Sequence, residues 1–182
     1  MKRTIIVLLF LIGGKSFAQN LSLAELLVLQ SSSLSEINDN LLSKSWTLIN
    51  SHQDKEINPS HFKDNAWTIS AGTWEYYSDN VMDGRIEYQY NYRFTDTKKL
   101  IHDDSKMIRY VTFDRDQYLS IKISLASRGY VKYDEDFGEN IIQVSYRNDT
   151  HIVRLSSHSP KNSNPFFIIH VLNKVKLDKK QE

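Results

Sequence analysis

Between residues 86 and 94 the side chains alternate without a break. Ile86, Tyr88, Tyr90, Tyr92 and Phe94 are apolar or aromatic, while Glu87, Gln89, Asn91 and Arg93 are polar or charged. Successive side chains of an extended strand point to opposite faces, so this stretch has one face to bury and one to leave wet. A period of two would scatter the same apolar groups around a helix. The segment therefore commits the chain to a sheet with one covered face. Other segments must pair with it, and something apolar must lie over it.

The chain supplies both. Further strands are expected at 46–49, 67–69, 74–77, 108–112, 141–146, 152–155 and 166–172. Asn148-Asp149 is the turn signal of a hairpin between two of them. The last strand is apolar on both faces apart from His170, which predicts a central place in the sheet. The strands follow one another directly, so their pairing is expected to be antiparallel.

Three helices are expected as the cover. Ser22 followed by Glu25, and Ser33 followed by Glu36, are capping boxes, in which each side chain satisfies the other residue's free backbone N–H. Leu34, Ile37, Leu41 and Leu42 follow the second box at helical spacing. The third helix starts at Asp114, with Gln117 in the reciprocal position. Tyr118, Ile121 and Leu125 fall on one of its faces, and Gly129 suits the left-handed residue after a helix end.

The second and third helices correspond at a shift of 84 positions. Leu34, Ile37 and Leu41 land on Tyr118, Ile121 and Leu125, while Lys44, Ser45 and Trp46 land on Arg128, Gly129 and Tyr130. A helix, a tight stop and an aromatic residue opening a strand thus occur twice, and similarity at a fixed offset points to duplication. The expected fold is α+β. It is a tandem repeat, over 33–112 and 114–174, of a helix and a three- or four-stranded antiparallel meander, in one compact domain. Polar loops are expected at 50–65 and 157–165, and a charged tail from 174.

The N-terminus reads as a secretory signal. Lys2 and Arg3 precede an apolar run over 5–12, and Ser16 and Ala18 sit where a signal peptidase reads small residues. The expectation is a signal over 1–18 and an exported domain over 19–182, periplasmic or secreted. No later stretch is apolar enough to span a bilayer. The 182 residues include no cysteine, so neither a disulfide nor a lipidated cysteine is available. Removing Lys2, Arg3 and Lys15 takes the net charge from +1 to −2. That balance gives no electrostatic drive toward nucleic acid.

The signal, the Leu-rich opening helix and the helix-stop-aromatic motif resemble small exported proteins of unknown function from Bacteroidetes-type bacteria. The doubled helix-and-meander plan resembles that of the secreted β-lactamase inhibitor proteins. Those inhibitors carry disulfides and this chain has none.

Few residues carry a chemical signature. The six histidines form no zinc pattern. His102, Asp103 and Asp104 are the nearest to a metal cluster and are expected in a turn. His52, Asp54, His61 and Asp64 share the first polar loop. Asp134 to Asn140 is similar to the opening of a calcium loop, but Ser145 stands where the closing glutamate belongs. An acidic turn between strands accounts for it. There is no Gly-x-Ser-x-Gly elbow and no phosphate-cradling glycine loop, and no catalytic residue or cofactor is assigned.

Trp67, Trp74, Tyr76, Tyr77, Tyr88, Tyr90 and Tyr92 cluster within 26 positions. Trp67, Trp74, Tyr76 and Tyr77 are the candidate binding residues, because tryptophan and tyrosine combine large rigid area with a polar tip. Trp74 and Tyr77 are read as surface groups at an exposed turn, whereas Tyr88, Tyr90 and Tyr92 are read as core. The leading expectation is a non-enzymatic binding module whose partner is a protein or an envelope component. The alternatives are an envelope hydrolase with a scattered site, and a small-ligand or glycan binder using exposed aromatics.

Overall fold

The structure is a computed structural model that describes residues 20–51, 66–78, 81–94 and 100–173. The expected signal, most of the first polar loop and the charged tail lie outside the described residues. Chain order is α1 (Leu23–Ser31), α2 (Leu34–Leu42), β1 (Thr47–Ser51), β2 (Ala66–Ser78), β3 (Val81–Phe94), β4 (Leu100–Thr112), α3 (Arg115–Ser127), β5 (Val131–Phe137), β6 (Ile141–Arg147), β7 (His151–His158) and β8 (Phe166–Asn173). The strands form one antiparallel sheet in the order β1-β2-β3-β4-β8-β7-β6-β5. Two meanders therefore meet where β4 pairs with β8. The protein is α+β with a core built mostly on sheet.

The helices begin where side chains replace missing backbone partners. Ser22 Oγ accepts from Glu25 N at 3.3 Å, and Glu25 Oε2 accepts from Ser22 N at 2.7 Å. Ser33 and Glu36 repeat the exchange at 3.3 and 2.8 Å. At α3, Asp114 Oδ1 accepts from Asp116 N and Gln117 N, but Gln117 does not return the bond. Its amide donates instead to the Leu21 carbonyl. The helix stops are alike. Ser45 (φ 64°) and Gly129 (φ 74°) take the left-handed conformation, and Trp46 N and Tyr130 N reach back to Leu41 O and Leu125 O at 3.0 and 3.1 Å.

All three helices pack on one face of the sheet. Leu26, Leu29, Ile37, Leu41, Ile121 and Leu125 meet Trp74, Ile86, Tyr88, Ile108, Tyr110 and Ile169 in a single buried cluster. Tyr118 on α3 stacks on Phe167 of β8, with ring centroids 4.5 Å apart. Both β2 and β4 run further than the sequence predicts. The segments at 67–69 and 74–77 are one strand, because a register shift between Ser70 and Gly72 absorbs the small residues that read as a break. The acidic stretch Asp134 to Asp136 belongs to β5. The turn comes after it, where Gly138 N donates to Ile141 O at 2.8 Å.

Two glycines make seats for indole rings. A Cβ on Gly72 would lie 2.4 Å from Trp74 Cη2, and one on Gly84 would lie 2.9 Å from Trp46 Cη2. Each ring lies across backbone that no other residue could provide without displacement. Gly72→Ala is expected to lower stability by about 1–3 kcal/mol through overpacking. Chemical denaturation measures it, and an unmoved midpoint would mean that the ring has room to slide.

Candidate functional site

The four candidate aromatics do not converge. Trp74 is fully buried, not on the surface, and its Nε1 donates to Asn38 Oδ1 of α2 at 3.1 Å. Register decides this: Trp74 pairs with Ile86 and Tyr76 with Gly84, and both pairs face the helices. Tyr76 is buried as well and packs against Trp46 at 5.8 Å. Tyr77, 46 % exposed, points to the opposite face, where its hydroxyl donates to Glu75 Oε2. Trp67 pairs with Tyr92, and its side chain lies outside the described residues. Tyr88 is fully buried beneath the helices.

The metal candidates fall on strands or outside the described residues. His102 and Asp103 pair with Tyr92 and Asn91 within β4, so with Asp104 they belong to a strand and not a turn. Their side chains lie outside the described residues, as do His52, Asp54, His61 and Asp64. Asp134 and Asp136 sit in an extended strand, whose geometry does not wrap around a cation. Among the described residues no group of three or more histidine, aspartate or glutamate side chains could hold a metal ion.

The sheet face that no described helix covers carries a different arrangement. Paired residues of antiparallel strands share a face, so register lays out its rows. One row runs Glu87, Arg109, His170, Arg154, Ser145 across β3, β4, β8, β7 and β6. A neighbouring row places Glu75 opposite Arg85 and Arg85 opposite Val111.

The ion pairs in these rows have a vertical order. Arg85 Nε donates to Glu75 Oε1 at 2.9 Å, and Arg109 Nη1 donates to Glu87 Oε1 at 3.0 Å. The Glu75 side chain is 8 % exposed against 40 % for Arg85, and that of Glu87 is 15 % against 26 % for Arg109. The carboxylates thus lie low and the guanidiniums stand above them. The Tyr77 hydroxyl, aided by Arg85, holds the Glu75 carboxyl below its ordinary range against the opposing effect of burial. Arg154 has no ion-pair partner among the described residues.

His170 lies between Arg109 and Arg154. Burial, then the two guanidiniums and His158, depress its pKa from 6.5 to about 4. It is therefore neutral at pH 7 and adds no third positive charge to the row. Beside the row, a groove of about 720 Å³ is lined by Val81, Met82, Phe113 and Phe166 together with Arg85 and Arg109. The His158 ring stacks on Phe166 at 4.5 Å.

A smaller cleft of about 330 Å³ shares Asp83 and Phe113 with this groove and reaches Trp46, Tyr76 and Tyr110. The indole N–H of Trp46 is buried without a hydrogen-bond partner. A buried donor left unpaired costs about 1–3 kcal/mol.

Sequence reasoning assigned no role to Arg85, Arg109, Arg154 or His170. The one visible signal was His170, the lone polar interruption of an otherwise apolar strand. No family model matches the chain, and neither the curated proteins nor the solved structures give a match.

Proposed function

We propose that this chain is a non-enzymatic binding module of the cell envelope, meeting a protein or another envelope component with the uncovered face of its sheet. One observation carries the reading: polar, half-exposed side chains converge from four neighbouring strands onto a face with a groove beside it. Stability alone does not explain the convergence, since desolvating partly buried charges offsets most of what such ion pairs gain. Export after removal of 1–18 places the module where such a partner would be met. The doubled plan belongs to the same reading. Matched burial at Ile37 and Ile121 and at Leu41 and Leu125, and the shared left-handed conformation of Ser45 and Gly129, support it.

The test is capture from an envelope extract with three forms of the domain. Val81→Gln with Ile141→Gln alters the uncovered face without changing charge. Val28→Gln with Ile123→Gln does the same on the outer side of the helices. The unaltered domain and the helix variant are expected to recover the same stoichiometric partner, and the face variant about tenfold less. Recovery by the face variant equal to the others would remove the uncovered face from the interaction. A second reading, small-ligand or glycan binding, is favoured only by the cleft beside the unpaired Trp46 N–H.

A further inference from the structure

We propose that the partner docked on the uncovered face is an acidic protein segment carrying an apolar side chain, its carboxylates received by Arg109 and Arg154 and its apolar group by the adjoining groove. This rests on the binding-module reading and adds the chemistry of the partner. Arg109 and Arg154 both pair with His170, one on each side, in the middle of the sheet. They stand two strands apart, roughly 10 Å at the usual spacing, with the neutral His170 between them, so two carboxylates of one segment can meet both.

Among the described residues, the acids do not reach Arg154. Glu87 is engaged by Arg109 and by the Gln89 amide at 2.6 Å, and Glu75 by Arg85 and Tyr77. The next carboxylate along the row, Asp134, stands opposite Ser145. That places it two strands from Arg154, or about 10 Å at the usual strand spacing. Arg154, without an ion-pair partner among the described residues, can receive an outside carboxylate, for which its planar fork is suited. The groove adds an apolar demand. Val81 is 64 % exposed and Phe113 38 % exposed, and both line it beside Arg85 and Arg109. An anion without an apolar part would leave these groups in water, and an apolar segment without acids would leave Arg154, in the adjoining row, without a carboxylate. A protein segment with both meets the two requirements at once.

Fluorescence anisotropy with short labelled synthetic peptides tests this on the domain. The first peptide is glutamate-rich with two phenylalanines, the second has lysine in place of every glutamate, and the third has no phenylalanine. The first is expected to bind the unaltered domain, about tenfold more weakly when NaCl is raised from about 0.05 to about 0.25 M. Arg154→Gln should weaken it by about tenfold while Arg154→Lys retains part of the affinity. The lysine peptide should not bind, and the peptide lacking phenylalanine should bind more weakly than the first. Equal binding of the lysine peptide, indifference to Arg154→Gln, or inorganic phosphate binding with no peptide binding would overturn the proposal. Arg154→Gln recovering the extract partner in full, while the Val81 and Ile141 variant does not, would overturn the acidic segment and leave the binding module standing.

Discussion

Trp74→Ala is expected to cost about 3–5 kcal/mol of stability, the range for removing a buried tryptophan. The ring is fully buried, its edge rests over Gly72 beside Leu34, and its N–H satisfies Asn38 of α2. Truncation opens a cavity between α2 and the sheet and strands the Asn38 oxygen. Trp74→Phe keeps most of the volume and loses the hydrogen bond, so it should cost distinctly less. Urea unfolding monitored by far-ultraviolet circular dichroism measures both. The experiment also decides between two roles for this residue. A tryptophan held at the surface for a ligand would change stability by no more than about 0.5 kcal/mol on truncation. An unmoved midpoint would return Trp74 to the surface and place α2 elsewhere.

The helix boundaries were legible because their causes are local. Ser22, Ser33 and Asp114 are each within three residues of the backbone groups they satisfy, and the stops at Ser45 and Gly129 act within five. The strand at 86–94 was legible for the same reason, since alternation is a property of neighbours. The central place of β8 could be read from its composition: Phe167, Ile169 and Val171 face the helices, while Ile168 and Leu172 are buried on the other side. Face assignment in β2 was not legible. Trp74, Tyr76 and Tyr77 are all aromatic, so alternation does not say which of them points inward; pairing with Ile86 and Gly84 does. The guanidinium row was invisible for a stronger reason. Arg85, Arg109, Arg154 and His170 come from four strands, and β4 meets β8 across the whole second half of the chain. No spacing in the sequence records that meeting.

Acidification from about pH 7 to about pH 4 is expected to remove about 3 kcal/mol of stability through His170 alone. The groups facing it are Arg109 from β4 and Arg154 from β7, with His158 close enough to act on it; Glu87 lies beyond Arg109 and is bound to it. All three neighbours that act on the ring oppose its protonation, and so does burial. The folded pKa of about 4 therefore lies below the ordinary 6.5 of the unfolded chain. Between these values the unfolded state binds the extra proton and the folded state does not, so stability falls as pH falls. The contribution is complete above about 6.5 and is lost as pH drops through about 4. His151 and His158, also depressed by burial, act in the same direction. Glu75, with its pKa lowered by Tyr77 and Arg85, contributes stability above the ordinary carboxylate range and loses it at lower pH still. Substitution separates these effects. His170→Gln keeps a polar side chain of similar reach without a titrating ring, so its stability should decline less steeply than that of the unaltered protein over this window. The two curves should differ in slope by about 3 kcal/mol across the interval. Parallel curves would mean that the proton is accommodated, which requires a carboxylate within reach of the ring. An acid of this chain close enough to accommodate the proton would also lie beside Arg154 and leave it less need of a partner's carboxylate, so this measurement bears on the acidic docking face as directly as on the fold.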